Sequence, residues 1–190
     1  MHIGAVILAG GKSRRMGKDK AELLIDDQIF LDKIAAELSA FDELLVSVGS
    51  KDHLAETKYQ TVADKYPDCG PIGGLQSALS VCTSDALFAI SCDVPLFTSA
   101  LAEFLCSEMN DAYDAVVAIS PEGFFHPLCA VYKKSTADIF EKYILSGDYK
   151  ILNAYEQMKI CRVPVEDFES LLLNVNTPEE YERLINGTKL

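Results

Sequence analysis

Ile3-Gly4-Ala5-Val6-Ile7-Leu8-Ala9-Gly10-Gly11-Lys12-Ser13-Arg14-Arg15-Met16-Gly17-Lys18-Asp19-Lys20 begins as an apolar run and breaks at two adjacent glycines. A short, continuous apolar run of this kind is what a strand buried on both faces of a parallel sheet shows. Adjacent glycines permit positive φ and close backbone approach, so the run predicts a strand followed by a tight turn.

The same alternation continues outward along the chain. Phe30–Leu38 reads as a helix, with Phe30, Ile34 and Leu38 on one stripe. Leu44–Val48 and Gln60–Ala63 read as strands, Gly74–Cys82 as a helix and Ala86–Ser91 as a buried strand. Thr98 is placed to cap a helix reaching Met109. Ala115–Ile119 and Pro127–Tyr132 read as strands around the turn Pro121-Glu122-Gly123. Helices at Ser135–Leu145 and Lys150–Gln157, a strand at Lys159–Val163 and a helix from Pro178 follow. Alternating strands and helices predict an α/β protein: a three-layer α/β/α, Rossmann-like domain over residues 1–190 with a mostly parallel sheet. Such folds take ligands at the carboxyl ends of the strands, so the strand-to-helix junctions are where function is sought.

The totals narrow the classes. In 190 residues, 49% are apolar and 24% charged, as in a globular protein. No apolar run reaches the roughly 18 residues of a membrane span, and Met1-His2-Ile3-Gly4 lacks the basic start of a signal peptide, so the expected location is cytoplasmic. The six cysteines form no C-x-x-C pair, which argues against a zinc site or a disulfide framework and for reduced, mostly buried thiols. A net charge of −12 argues against nucleic-acid or anionic-membrane partners. Yet Lys12, Arg14, Arg15, Lys18 and Lys20, five of the 17 basic residues, crowd into the loop after the first strand. A local positive excess in an acidic protein points to a small anionic ligand, against the plainer alternative of a solvated basic loop.

A phosphate chain wants backbone N–H groups converging on its oxygens with cations behind them. Arg15 can grip phosphate oxygens bidentately and Lys20 can add a point charge. Two familiar motifs are excluded. Gly10 and Gly11 are adjacent, which breaks G-x-G-x-x-G. Gly11-Lys12-Ser13 mimics the end of a P-loop, but Val6 stands where that motif needs its first glycine.

The run Leu8-Ala9-Gly10-Gly11-Lys12-Ser13-Arg14-Arg15-Met16-Gly17-Lys18-Asp19-Lys20 instead resembles the L-A-G-G-x-S-x-R-M-G-x-D-K loop of the molybdenum cofactor guanylyltransferases, within the wider nucleotidyltransferase fold. The resemblance implies that Leu8, Ala9, Gly10, Gly11, Arg15 and Lys20 hold a nucleoside triphosphate. It extends to Gly70-Pro71-Ile72-Gly73-Gly74, similar to the family's G-P-L-x-G segment, with Asp64 and Gly74 among the nucleotide-binding positions. A carboxylate at 64 could accept from the N1–H and exocyclic amine of guanine, or serve merely as a turn residue. Where the family usually has an asparagine touching nucleotide, this chain has Ser47, a departure that weakens the case for guanine. Cys92-Asp93-Val94-Pro95 is similar to the family's C-D-x-P, which implies Asp93 as the ligand of Mg2+, an ion that takes oxygen donors; a plain helix cap is the alternative.

Two later segments carry the resemblance to the acceptor side: His126-Pro127-Leu128, and Asn174-Val175-Asn176-Thr177-Pro178. Asn174 and Asn176, two apart on an expected strand, would point the same way and offer paired amides. The family implies that His126, Asn174 and Asn176 meet a pterin acceptor, whereas turn and cap chemistry would account for them without any ligand. Together these features imply transfer of GMP from GTP to molybdopterin with release of pyrophosphate, Arg15, Lys20 and Asp93 being catalytic. The implied protein partners are those that carry molybdopterin or mature molybdoenzymes. Cytidylyl transfer to molybdopterin and nucleotidyl transfer to a sugar phosphate are the alternatives that Ser47 keeps open.

Overall fold

The computed structural model describes residues 1–10, 23–25, 27–49 and 57–186. Its strands are β1 (Ile3–Leu8), β2 (Leu24–Ile25), β3 (Gln28–Ile29), β4 (Leu44–Gly49), β5 (Gln60–Ala63), β6 (Ala86–Ser91), β7 (Ala115–Ile119), β8 (Phe125–Lys133) and β9 (Ile160–Pro164). The helices are α1 (Phe30–Glu37), α2 (Pro71–Val81), α3 (Ser99–Glu108), α4 (Ala137–Leu145), α5 (Ile151–Ala154) and α6 (Pro178–Ile185).

Seven strands form one sheet in the order β5-β4-β1-β6-β8-β7-β9. All neighbours pair in parallel except that β8 runs against both β6 and β7, so the sheet is mostly parallel as expected. From β1 the chain moves outward to β4 and β5, then returns to lay β6 on the other side of β1. In open α/β sheets such a reversal marks the crevice where ligands bind, which here falls at the carboxyl ends of β1 and β6.

Burial on both faces explains why β1 shows no polar alternation. Ala5 and Ile7 face one core with Ile34 and Leu38 of the α1 region and Leu101 and Leu105 of α3. Val6 and Leu8 face the other with Ile72, Leu75 and Leu79 of α2 and Phe140 of α4. Each such large aliphatic side chain contributes about 1.5–3 kcal/mol on leaving water. Helices thus cover both faces, the three-layer α/β/α arrangement. Cys69, Cys82, Cys92 and Cys129 are buried within these cores, and Cys106 and Cys161 pack against them. Among the described residues no helix is long and apolar enough to cross a membrane.

Several boundaries differ from expectation, each for a local reason. α2 begins three residues early because Gly70, at φ 72°, turns the chain and Pro71 starts the helix, leaving Gly73 and Gly74 inside it. Thr98 stands at the start of α3 but makes no side-chain cap bond. The Glu37 carboxylate reaches across from α1 and accepts from the Ser99 N–H at 2.8 Å instead. The expected strand around Asn174 and Asn176 does not form, and residues 173–176 are irregular. A small hairpin, β2 with β3, was not anticipated; two residues per strand carry too little periodicity, and Asp27 makes its turn at φ 62°.

Candidate active site

At the reversal, the tips of the central strands are tied together by main-chain bonds. Leu8 lies opposite Ser47 on β4 and Ser91 on β6. The Cys92 N–H donates to the Leu8 carbonyl at 3.1 Å, so the turn carrying Asp93 is hung from the end of β1. Leu8, Ala9, Gly10, Ser47, Asp64, Gly74 and Asp93 are therefore gathered at one end of the sheet. Gly11, Arg15 and Lys20 lie outside the described residues.

The need for glycine at position 10 is structural. The N–H groups of Ala9 and Gly10 both donate to the Ser47 carbonyl, at 2.8 and 2.9 Å. A Cβ on Gly10 would stand 2.6 Å from the Gly49 nitrogen and 2.9 Å from its Cα, with Gly49 itself at φ 74°. Two backbones thus cross at Gly10–Gly49, a contact that L side chains would force apart. The amides of Ala9 and Gly10 are thus both engaged by the Ser47 carbonyl.

Asp64 leaves β5 with its N–H bonded to the Gly49 carbonyl at 2.7 Å. Ser47, 1% exposed, donates its hydroxyl to Asp64 Oδ1 at 3.2 Å. Partial burial raises the Asp64 carboxyl above its ordinary range, and the Ser47 bond opposes that rise. Gly74 fits under this pair because it has no side chain: a Cβ would come 2.4 Å from Ser47 Oγ, 3.1 Å from Leu8 Cδ2 and 3.4 Å from Asp64 Oδ1. The early start of α2 thus lodges a helical glycine against the tips of β1 and β4.

Asp93 is half-buried in the turn after β6. Among the described residues no group of three or more His, Cys, Asp or Glu side chains is arranged to hold a metal. A closed, zinc-like cage is not what these residues build. A carboxylate at the end of β6 does suit Mg2+, which takes one or two carboxylates and completes its octahedron with phosphate oxygens and water.

His126 lies on β8 at the same end of the sheet, just past the Ile90–Cys129 pairing with β6. Its Nε2 is buried with no hydrogen-bond partner among the described residues. Burial lowers its pKa below the usual imidazole value, with the Glu169 charge pulling the other way, so the ring is held neutral near pH 7. A buried nitrogen left without a partner costs about 1–3 kcal/mol, a cost that a hydrogen bond to a ligand would relieve. Asn174 is exposed and Asn176 half-buried, on either side of fully buried Val175. The Val175 N–H donates to the Asp93 carbonyl at 2.8 Å, which brings the asparagine segment beside the Asp93 turn.

Glu180, which is not among the sequence-predicted site residues, belongs to this corner. Its Oε2 accepts from the N–H groups of Asn176 and Thr177, at 2.6 and 3.0 Å. Thr177 Oγ1 in turn accepts from the Glu180 N–H at 3.2 Å, completing a capping box. The spacing T-x-x-E at 177–180 is the signal that marks it in the sequence.

The profile of the MobA-like NTP transferase domain matches residues 5–160, which span β1, the crevice, Asp93 and His126. The chain belongs to this family. It is an enzyme of the nucleotidyltransferase class. MobA-like relatives match it nearly end to end. Two are named "probable molybdenum cofactor guanylyltransferase". One, from Carboxydothermus hydrogenoformans, is 32% identical over 97% of this chain and 95% of its own length. The other, from Clostridium perfringens strain 13, is 31% identical over 98% of each. A crystal structure of molybdopterin-guanine dinucleotide biosynthesis protein A from Archaeoglobus fulgidus superposes with a TM-score of 0.85. That structure is 24% identical and covers 98% of this chain and 97% of its own, a likeness that shows the shared fold.

Proposed function

We propose that the protein transfers GMP from GTP to the terminal phosphate of molybdopterin, releasing pyrophosphate, with Mg2+ held at Asp93. The observation that carries this reading is the junction at the sheet reversal. There the Asp93 turn hangs from the end of β1 through the Cys92–Leu8 bond, and Gly74 packs against Leu8, Ser47 and Asp64 at the same end of the sheet. The names of the full-length relatives support the choice of GTP and molybdopterin. A fold neighbour from Mycobacterium tuberculosis, 19% identical, was crystallised with manganese, which accords with a divalent ion in this fold.

In this reading an oxygen of the acceptor phosphate attacks the α-phosphorus in line. A new P–O bond forms, the bond between the α-phosphorus and the bridging oxygen to the β-phosphorus breaks, and pyrophosphate leaves with the electron pair. The acceptor oxygen is already ionised, so no base is needed. Arg15 and Lys20 hold the triphosphate and offset charge that grows on the leaving group. Mg2+ bound at Asp93 would neutralise phosphate charge and align the two reactants. Asp64 offers Oδ2 to the guanine edge while Ser47 occupies Oδ1. His126, through neutral Nε2, and Asn174 and Asn176 hold the acceptor.

Pyrophosphate release measured with molybdopterin and GTP, CTP or ATP in turn tests the proposal. GTP should support turnover at least tenfold better than the others, and Asp93→Asn should remove it. Preference for CTP would replace guanylyl with cytidylyl transfer. Turnover unchanged in Asp93→Asn would remove the metal assignment.

A further inference from the structure

We infer that Glu180 is a positioning residue for Asp93, acting through the backbone of residues 175–177. The inference rests on the proposed metal role of Asp93. Residues 173–176 pair with no strand among the described residues, and main-chain bonds and the packing of Val175 hold them instead. Three consecutive amides are engaged: Val175 N–H on the Asp93 carbonyl, and Asn176 and Thr177 N–H on one oxygen of Glu180. Glu180 sits in the first turn of α6, where a negative charge is favoured and where its own N–H is returned to Thr177.

The far side of the segment is also pinned. Val175 is fully buried with Leu23, Ile25 and Phe30, and Leu96, Tyr181 and Leu184 pack against the group. The Tyr181 hydroxyl donates to the Leu24 carbonyl at 2.7 Å, fixing α6 to the β2–β3 hairpin. Apolar packing therefore sets where Val175 lies, and the Glu180 carboxylate sets how its backbone is oriented toward Asp93. Removing that carboxylate loosens two amides beside the bond that steadies the Asp93 turn. Groups hydrogen-bonded directly to a metal ligand change metal affinity about 10–100-fold when lost; Glu180, which acts through the backbone next to such a bond, belongs at the low end of that range.

The test compares calorimetric binding of GTP in the presence of Mn2+ with binding in EDTA. For Glu180→Ala, binding with Mn2+ should weaken about tenfold, while metal-free binding stays within about twofold; Glu180→Gln, which keeps an acceptor oxygen, should recover most of the loss. Equal weakening in both conditions would mean a merely structural role and overturn the inference, as would wild-type binding in both. Asp93→Asn, measured alongside, separates the two claims. If it still gains from Mn2+ as the wild type does, the metal reading of Asp93 fails; if it loses the gain and Glu180→Ala does not, only the Glu180 inference fails. Should Glu180→Ala not fold, Glu180→Asp, one methylene too short to span the box, takes its place under the same criteria.

Discussion

Ser47 and Asp64 meet across 3.2 Å where β4 and β5 end, the hydroxyl donating to Oδ1 and leaving Oδ2 outside that bond. The small side chain at 47 is thus accounted for by what surrounds it. Gly74 of α2 packs so closely that a single added methyl group would strike Ser47 Oγ. Ser47, Asp64 and Gly74 form one unit, and changes within it should not add.

Gly74→Ala tests that coupling. Alanine ordinarily favours a helix by about 1 kcal/mol over glycine, but overpacking a tight core costs about 1–3 kcal/mol. Steric cost is expected to win, lowering Tm by several degrees and weakening GTP binding. Ser47→Ala removes the Oγ that the new methyl would meet. The double variant should therefore be more stable in a denaturation cycle than the sum of the two single changes. Strict additivity would show that the two positions do not share this contact.

Asp64→Asn should separate stability from function. Folding raises the Asp64 carboxyl through burial, so the folded state binds the proton more tightly than the unfolded chain. Such a group favours folding below its unfolded value, and that contribution is lost as pH rises through the raised folded value. The asparagine variant lacks this loss. Its Tm relative to wild type should climb as pH is raised from about 3.8 through the folded pKa and then level off. GTP affinity at neutral pH should fall, since a neutral amide oxygen accepts from the guanine N–H donors more weakly than a carboxylate oxygen does. A Tm difference flat with pH would contradict the burial argument.

Gly10→Ala places a Cβ against the backbone of Gly49 in the crossing between β1 and β4. Neither neighbour is a flexible side chain that can yield. A loss of about 1–3 kcal/mol and weaker triphosphate binding are expected, read by urea denaturation and by calorimetry. Wild-type stability would show that the two backbones can part at little cost.

The His126 ring should titrate below the usual imidazole range in an NMR pH series, because burial outweighs the nearby Glu169 charge. For a depressed histidine the stabilising contribution is present above the unfolded value and lost as pH falls through the folded one. Binding of molybdopterin should move the His126 ring signals, since its buried Nε2 meets no partner among the described residues. Signals that stay fixed while acceptor binds would remove His126 from the acceptor site.

What the sequence made legible was mostly what repeats or punctuates. Continuous apolar strands such as Ile3–Leu8 and Ala86–Ser91 announced a doubly covered sheet, and the glycine pair after β1 announced its crevice. Contacts between distant residues were not legible. The Ser47–Asp64 bond, the Gly10–Gly49 crossing and the Glu37–Ser99 cap each join elements that periodicity treats separately. Glycine at 10 looked like a concession to a ligand, whereas folding gives it a backbone neighbour. The asparagine segment shows the reverse failure, since alternation at 174–176 suggested a strand that pairs with none of the described strands. Its order comes instead from a cap four residues on and from a bond to Asp93.

The most direct measurement is a crystal structure of the protein with Mg2+ and a non-hydrolysable GTP analogue. The account predicts the ion on Asp93 at about 2.0–2.1 Å, the triphosphate along the loop after Gly10, and the guanine edge on Asp64. A nucleotide bound elsewhere, or a base that turns away from Asp64 with the ion off Asp93, would contradict it.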